Sequence, residues 1–71
     1  MMNHEVRTMK LNGKILYSEH FKTAEEAYKA YLDIVNEAHK TREKVPKMAP
    51  ICVRRYNNGD IMCSTFIGLP M

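Results

Sequence analysis

No apolar run in this chain approaches the roughly 18 residues that a membrane-spanning helix needs, so a helical span is excluded. The first ten residues, MMNHEVRTMK, carry charges with no hydrophobic segment behind them, and no secretory signal is expected there. Cysteine is scarce. Cys52 and Cys63 stand in a C-x10-C spacing, with no C-x-x-C and no histidine pair beside them, which argues against zinc. A cytoplasmic protein with two reduced, packed thiols is the expectation. There is no glycine-rich phosphate loop, no H-E-x-x-H and no G-x-S-x-G. The glycines number three and are spent on two turns and a tail. No internal repeat or low-complexity segment divides the chain.

What is present bounds the fold. Seventy-one residues make one domain at most. A chain of this size buries only about 60% of the surface its unfolded form exposes, so its core is thin. Hydrophobic residues are 45% of the chain and charged residues 27%, a globular rather than a disordered composition. The net charge of +3 is unevenly spread: residues 23–44 sum to −1 and the remainder to +4. An anionic partner should therefore meet the remainder of the chain.

Two stretches read as hairpins. Residues 5–20 place EVRTMKL and KILYSEH around Asn12-Gly13, and residues 51–67 flank Asn58-Gly59. Asn-Gly favours a two-residue type I′ turn, because both residues tolerate positive φ. That loop pairs Met9 with Leu16, Arg7 with Ser18 and Glu5 with His20 in the first hairpin. In the second it pairs Tyr56 with Ile61, Arg54 with Cys63 and Cys52 with Thr65. Cys52 and Cys63 then share a face as diagonal neighbours, about 7–8 Å apart and beyond disulfide reach.

Between the hairpins, residues 23–44 read as a helix. Thr23 and Glu26 form a T-x-x-E capping signature. Ala24, Ala27, Tyr28, Tyr31, Ile34, Val35 and Ala38 recur at spacings of three and four, over an arc of roughly 120°. Pro46 disfavours helix at Val45, and residues 45–50 read as a loop. The whole is an α+β chain of order ββαββ, with two hairpins forming a four-stranded, mainly antiparallel sheet and one long helix packed on one face.

Neither hairpin alternates cleanly between apolar and polar. Both faces of the sheet come out half apolar, and one helix covers only one of them. The uncovered face is expected to be an interaction surface. If the face bearing Ile51, Val53 and Phe66 is the core, the surface comprises Arg7, Met9, Lys10, Leu11, Leu16, Arg54, Tyr56 and the turn residues Asn57, Asn58 and Asp60. The expected activity is non-enzymatic protein–protein interaction, as a homodimer, or as an inhibitor or accessory factor docking on a larger protein. The alternative is nucleic-acid binding, with Arg7, Lys10, Arg54 and Arg55 on phosphates and Tyr17 and Tyr56 stacking bases. His4, Glu5, Glu19 and His20 gather at the open end of the first hairpin. Adjacent residues point to opposite faces, so a polar cross-strand pair accounts for them better than a metal or acid–base site does. No metal, cofactor or small-molecule substrate is expected.

The order hairpin, FKTAEEA into a helix, then strand, resembles the arm-type DNA-binding domain of phage-like tyrosine integrases. Phe21, Thr23, Glu26 and Ala27 carry the likeness. It also resembles small bacterial domains with two hairpins around one helix, and in style the accessory proteins of bacteria and their phages. Any capped strand-to-helix junction uses those four residue types, and the integrase domain lacks a second hairpin. No family membership follows from the likeness.

Overall fold

The computed structural model describes residues 3–45 and 47–68. It contains strands β1 (His4–Lys10) and β2 (Ile15–Phe21), helix α1 (Ala24–Lys44), and strands β3 (Ile51–Asn57) and β4 (Asp60–Ile67). The sheet order is β2-β1-β3-β4, and every neighbouring pair is antiparallel. The two hairpins lie side by side, joined through their first strands, with α1 across one face. No helix among the described residues is long and apolar enough to cross a membrane.

The two Asn-Gly turns differ. Around Asn58-Gly59, φ is 50° and 87°, the type I′ turn expected, and Asn57 pairs with Asp60. Around Asn12-Gly13 only the glycine has positive φ. The Gly13 N–H donates to the Lys10 carbonyl (3.0 Å) and the Lys10 N–H to the Lys14 carbonyl (2.9 Å). That is a three-residue loop, a type I turn closed by a glycine bulge. The Asn12 side chain accepts from the Lys14 N–H at 3.0 Å and holds this form.

Each edge strand also carries a bulge. Thr8 pairs with Tyr17 but Met9 with Ile15, which leaves Leu16 without a cross-strand partner. Arg55 pairs with Cys63 but Tyr56 with Ile61, which leaves out Met62. A bulge reverses the facing of every residue beyond it. The broken alternation in the sequence has this cause. It also corrects three pairings: Met9 lies beside Ile15, Arg54 beside Ser64, and Cys52 beside Phe66. Phe66 therefore leaves the core face and Cys63 joins it. The two cysteines lie on opposite faces of the sheet, both free.

The core forms where α1 meets the sheet. Val6, Val53 and Ile67 from β1, β3 and β4 close against Ala27 and Tyr31, all buried. Full burial of each such aliphatic side chain contributes about 1.5–3 kcal/mol. Ala27, fully buried, lets the helix backbone approach the strands. The Tyr31 hydroxyl, carried into the core by its ring, bonds the Thr65 hydroxyl of β4. Ala30, Ile34, Val35, Ala38, Met48, Ile51 and Phe21 pack around this centre. Ala24 and Tyr28, expected in the stripe, lie exposed at its margin. The Tyr28 ring instead lies 5.7 Å from the Arg55 guanidinium. The helix begins as its sequence dictates: Thr23 is extended (φ −127°, ψ 154°) and its hydroxyl accepts from the Glu26 N–H at 3.1 Å. At the other end the Val45 N–H closes on the Thr41 carbonyl at 2.8 Å.

Candidate interaction surface

Strand alternation carries odd-numbered β1 residues and even-numbered β3 residues to the face that α1 leaves open. From β2 to β4, one row across this face is His20, Glu5, Tyr56 and Ile61, and the next is Ser18, Arg7, Arg54 and Ser64. A third row runs Ile15, Met9, Cys52 and Phe66.

The centre of the face is cross-linked by side-chain contacts. The Arg7 guanidinium pairs with Glu5, donating through Nε to Oε2 and through Nη2 to Oε1 (3.1 Å). The Ser18 hydroxyl donates to Glu5 Oε2 at 2.7 Å. The hydrogen bond from Arg7 holds the Glu5 carboxyl below its usual range against the opposing effect of burial. The same contact raises Arg7. The Arg7 guanidinium also lies 4.4 Å from the centroid of the Tyr56 ring, a cation–π contact. Glu5, Met9, Cys52 and Tyr56 are all buried although, among the described residues, no helix or strand lies over them. Their neighbours on the same face do so: Arg7 lies against Glu5 and Tyr56, and the Ser64 hydroxyl lies 3.5 Å from Cys52 Sγ.

The rim of the face is different. Phe66 and Ile61 on β4 are 49% and 53% exposed. Arg54 sits between their rows and directly opposite Arg7. It is half-buried, and its Nε has no hydrogen-bond partner among the described residues. Arg7 has a carboxylate; Arg54 forms no ion pair among the described residues. Two adjacent guanidiniums with one carboxylate leave an uncompensated positive charge beside two exposed apolar side chains.

The expected surface residues are thus divided. Arg7, Met9, Arg54 and Tyr56 lie on the open face, with Met9 and Tyr56 covered. Leu16 is the exposed bulge residue at the rim and Leu11 lies in the first turn. Lys10 and Asn57 alternate to the helix side. Asn58 and Asp60 belong to the second turn, which is tied down: the Asn58 N–H donates to the Asn3 carbonyl (2.8 Å), and the Asn3 N–H to Asn58 Oδ1 (2.7 Å). Phe66 and Ile61 were not among the expected surface residues. The distance from the second turn gives β4 eight residues against seven in β3, which fits either an overhang or a bulge within the strand. The run Ile61-Met62 hides which.

The four polar residues at the open end of the first hairpin separate as well. Glu5 and His20 pair on the open face, and His20 Nδ1 lies 2.8 Å from Asn3 Oδ1. His4 is buried on the helix side, and Glu19 bonds Tyr17. Among the described residues no group of three His, Cys, Asp or Glu is placed to hold a metal ion. Comparison of the chain with protein-family models, with curated proteins and with solved structures found no match in any of the three.

Proposed function

We propose that this is a non-enzymatic binding protein whose open sheet face docks on an acidic surface of a larger protein. One observation carries the reading: among the described residues Arg54 has no carboxylate partner and stands between the exposed side chains of Phe66 and Ile61, on the face that α1 leaves open. Arginine beside accessible aromatic and aliphatic groups is the composition of an interface anchor. The locked Glu5–Arg7–Tyr56 centre supplies a surface that loses little entropy on binding.

A second copy suits this face poorly. Stacked face to face, the Arg7–Arg54 pairs of the two copies would lie against one another with Glu5 already engaged. Nucleic acid is less well supported than protein. Tyr56 lies beneath Arg7 and cannot stack a base, while Tyr17, Lys10 and Arg55 belong to the helix side. The carboxylate of Glu5 sits where phosphates would run.

The test has two arms. Titrated with a mixed-sequence duplex and a single strand at low salt, the protein is expected to show no binding. Micromolar affinity that collapses as salt rises would replace the protein partner by a nucleic acid. In the second arm, interacting proteins are captured from cell extract on wild type, Arg54→Ala and Phe66→Glu. A partner retained equally by all three would remove the open face from the interaction.

A further inference from the structure

We infer that the chain forms a two-fold dimer by antiparallel pairing of β2 with β2 of a second copy, centred on Ser18, giving a continuous eight-stranded sheet. This contact runs along the backbone edge of β2; Ser18, Ile15 and His20 stand at the margin of the open face, away from Arg54, Phe66 and Ile61. β2 is an edge of the sheet. The helix packs on β1, β3 and β4 and takes only Phe21 from β2 into the core. Ile15, Leu16 and Tyr17 are left 49%, 49% and 47% exposed. The other edge, β4, is anchored by buried Ile67 and by Thr65 bonded to Tyr31. β2 has neither proline nor lysine, the residues that most often protect an edge. Its bulge at Leu16 lies near the turn, and Tyr17 to Phe21 pair with β1 in unbroken register.

The choice of occupant rests on the register. About a two-fold axis at Ser18, Ser18 meets Ser18, Tyr17 meets Glu19 and Leu16 meets His20, each of the latter pairs twice. Tyr17 and Glu19 share one side of β2, and there each hydroxyl, which donates to Glu19 of its own chain, faces the carboxylate of the other copy as an equivalent acceptor. Moving the axis to Glu19 sets two carboxylates opposite each other, which is unfavourable. Moving it to Tyr17 sets Glu19 against Ile15 and shortens the pairing. An axis perpendicular to the sheet also keeps both open faces on the same side, and both helices on the other. It closes the assembly at two copies.

The experiment uses the full chain. Its mass is measured by light scattering and sedimentation over a hundredfold range of concentration. A concentration-dependent dimer is expected. Paired residues in an antiparallel ladder lie about 4.5–5.5 Å apart at Cα, within disulfide range. Oxidised Ser18→Cys should therefore run as a covalent dimer that reductant reverses. Wild type, with Cys52 and Cys63, and Lys29→Cys on the exposed side of α1 should not. Ser18→Lys and Leu16→Lys, checked for native circular dichroism, should weaken the dimer by about tenfold or more. A monomer at every concentration would overturn the inference. So would a dimer that Ser18→Cys fails to lock, or one dissolved by Phe66→Glu but not by Ser18→Lys, which would place the contact on the open face.

Discussion

Glu5 sets the electrostatics of the open face. Its carboxyl is held below the usual value of 4.5, first by the hydrogen bond from Arg7. A folded-state value lower than the unfolded one contributes stability that is fully present above the unfolded value, here about pH 4.5. That stability is lost as pH falls through the lowered folded value. Glu5→Gln is expected to cost about 1–3 kcal/mol near neutral pH and to flatten the acid side of the stability profile. Urea midpoints across a pH series check both, and a variant as acid-sensitive as wild type would show that another carboxyl is responsible. Gly68 offers a second prediction. It follows β4 with φ +92°, and a Cβ there would lie 2.8 Å from Arg42 Nη1 and 3.2 Å from the Pro50 Cα. Left-handed backbone alone costs a non-glycine residue about 1–2 kcal/mol. Gly68→Ala should cost at least that, because the Pro50 backbone cannot retreat as a side chain could. Gly13, with nothing within 4 Å of its Cβ position, should show the backbone cost alone. Equal losses at the two positions would mean that the approach to Pro50 is inconsequential.

The informative feature at the scale of the elements is the pair of bulges. Leu16 and Met62 each fall shortly after a turn, each in an edge strand. Local sequence marks the ends of the elements well: Thr23 caps the helix, Asn-Gly dipeptides set the hairpin tips, and α1 ends next to Val45. It does not mark an inserted residue within a strand, because two consecutive apolar side chains fit either register. Deleting Met62 should therefore be tolerated. Tyr56 keeps Ile61, Arg55 keeps Cys63, and the strand runs without interruption. Deleting both Met62 and Ser64 instead leaves no spare residue, moves every later pair by one and turns Phe66 towards the helix. Cross-strand nuclear Overhauser contacts between Cys52 and Phe66 distinguish the two outcomes. They should survive the first deletion and vanish in the second; their loss in the first would mean that the bulge itself holds the register.

For the molecule as a whole, one helix on four strands leaves half the sheet surface to solvent. The chain divides that surface into a cross-linked polar centre and an apolar rim beside Arg54. Substituting Phe66 or Arg54 should leave the fold intact, since neither contributes to the buried core. Binding and stability are then separable experimentally. The bare flank of β2 follows from the placement of the helix, which favours the β3–β4 side of the sheet.

The sequence by itself determined the element order, the helix with its cap, the two hairpins and the presence of a half-apolar uncovered face. Each of these depends on interactions a few residues apart: φ preferences at Asn-Gly, the threonine cap, the three-and-four spacing of apolar side chains. Tertiary structure alone decided which face was covered, the strand order and the composition of the exposed surface. The reason is parity. A single bulged residue exchanges inside for outside along the rest of a strand, and only packing of Val6, Val53 and Ile67 against Ala27 and Tyr31 selects where that residue goes. The same choice moved Phe66 out of the core to stand beside Arg54.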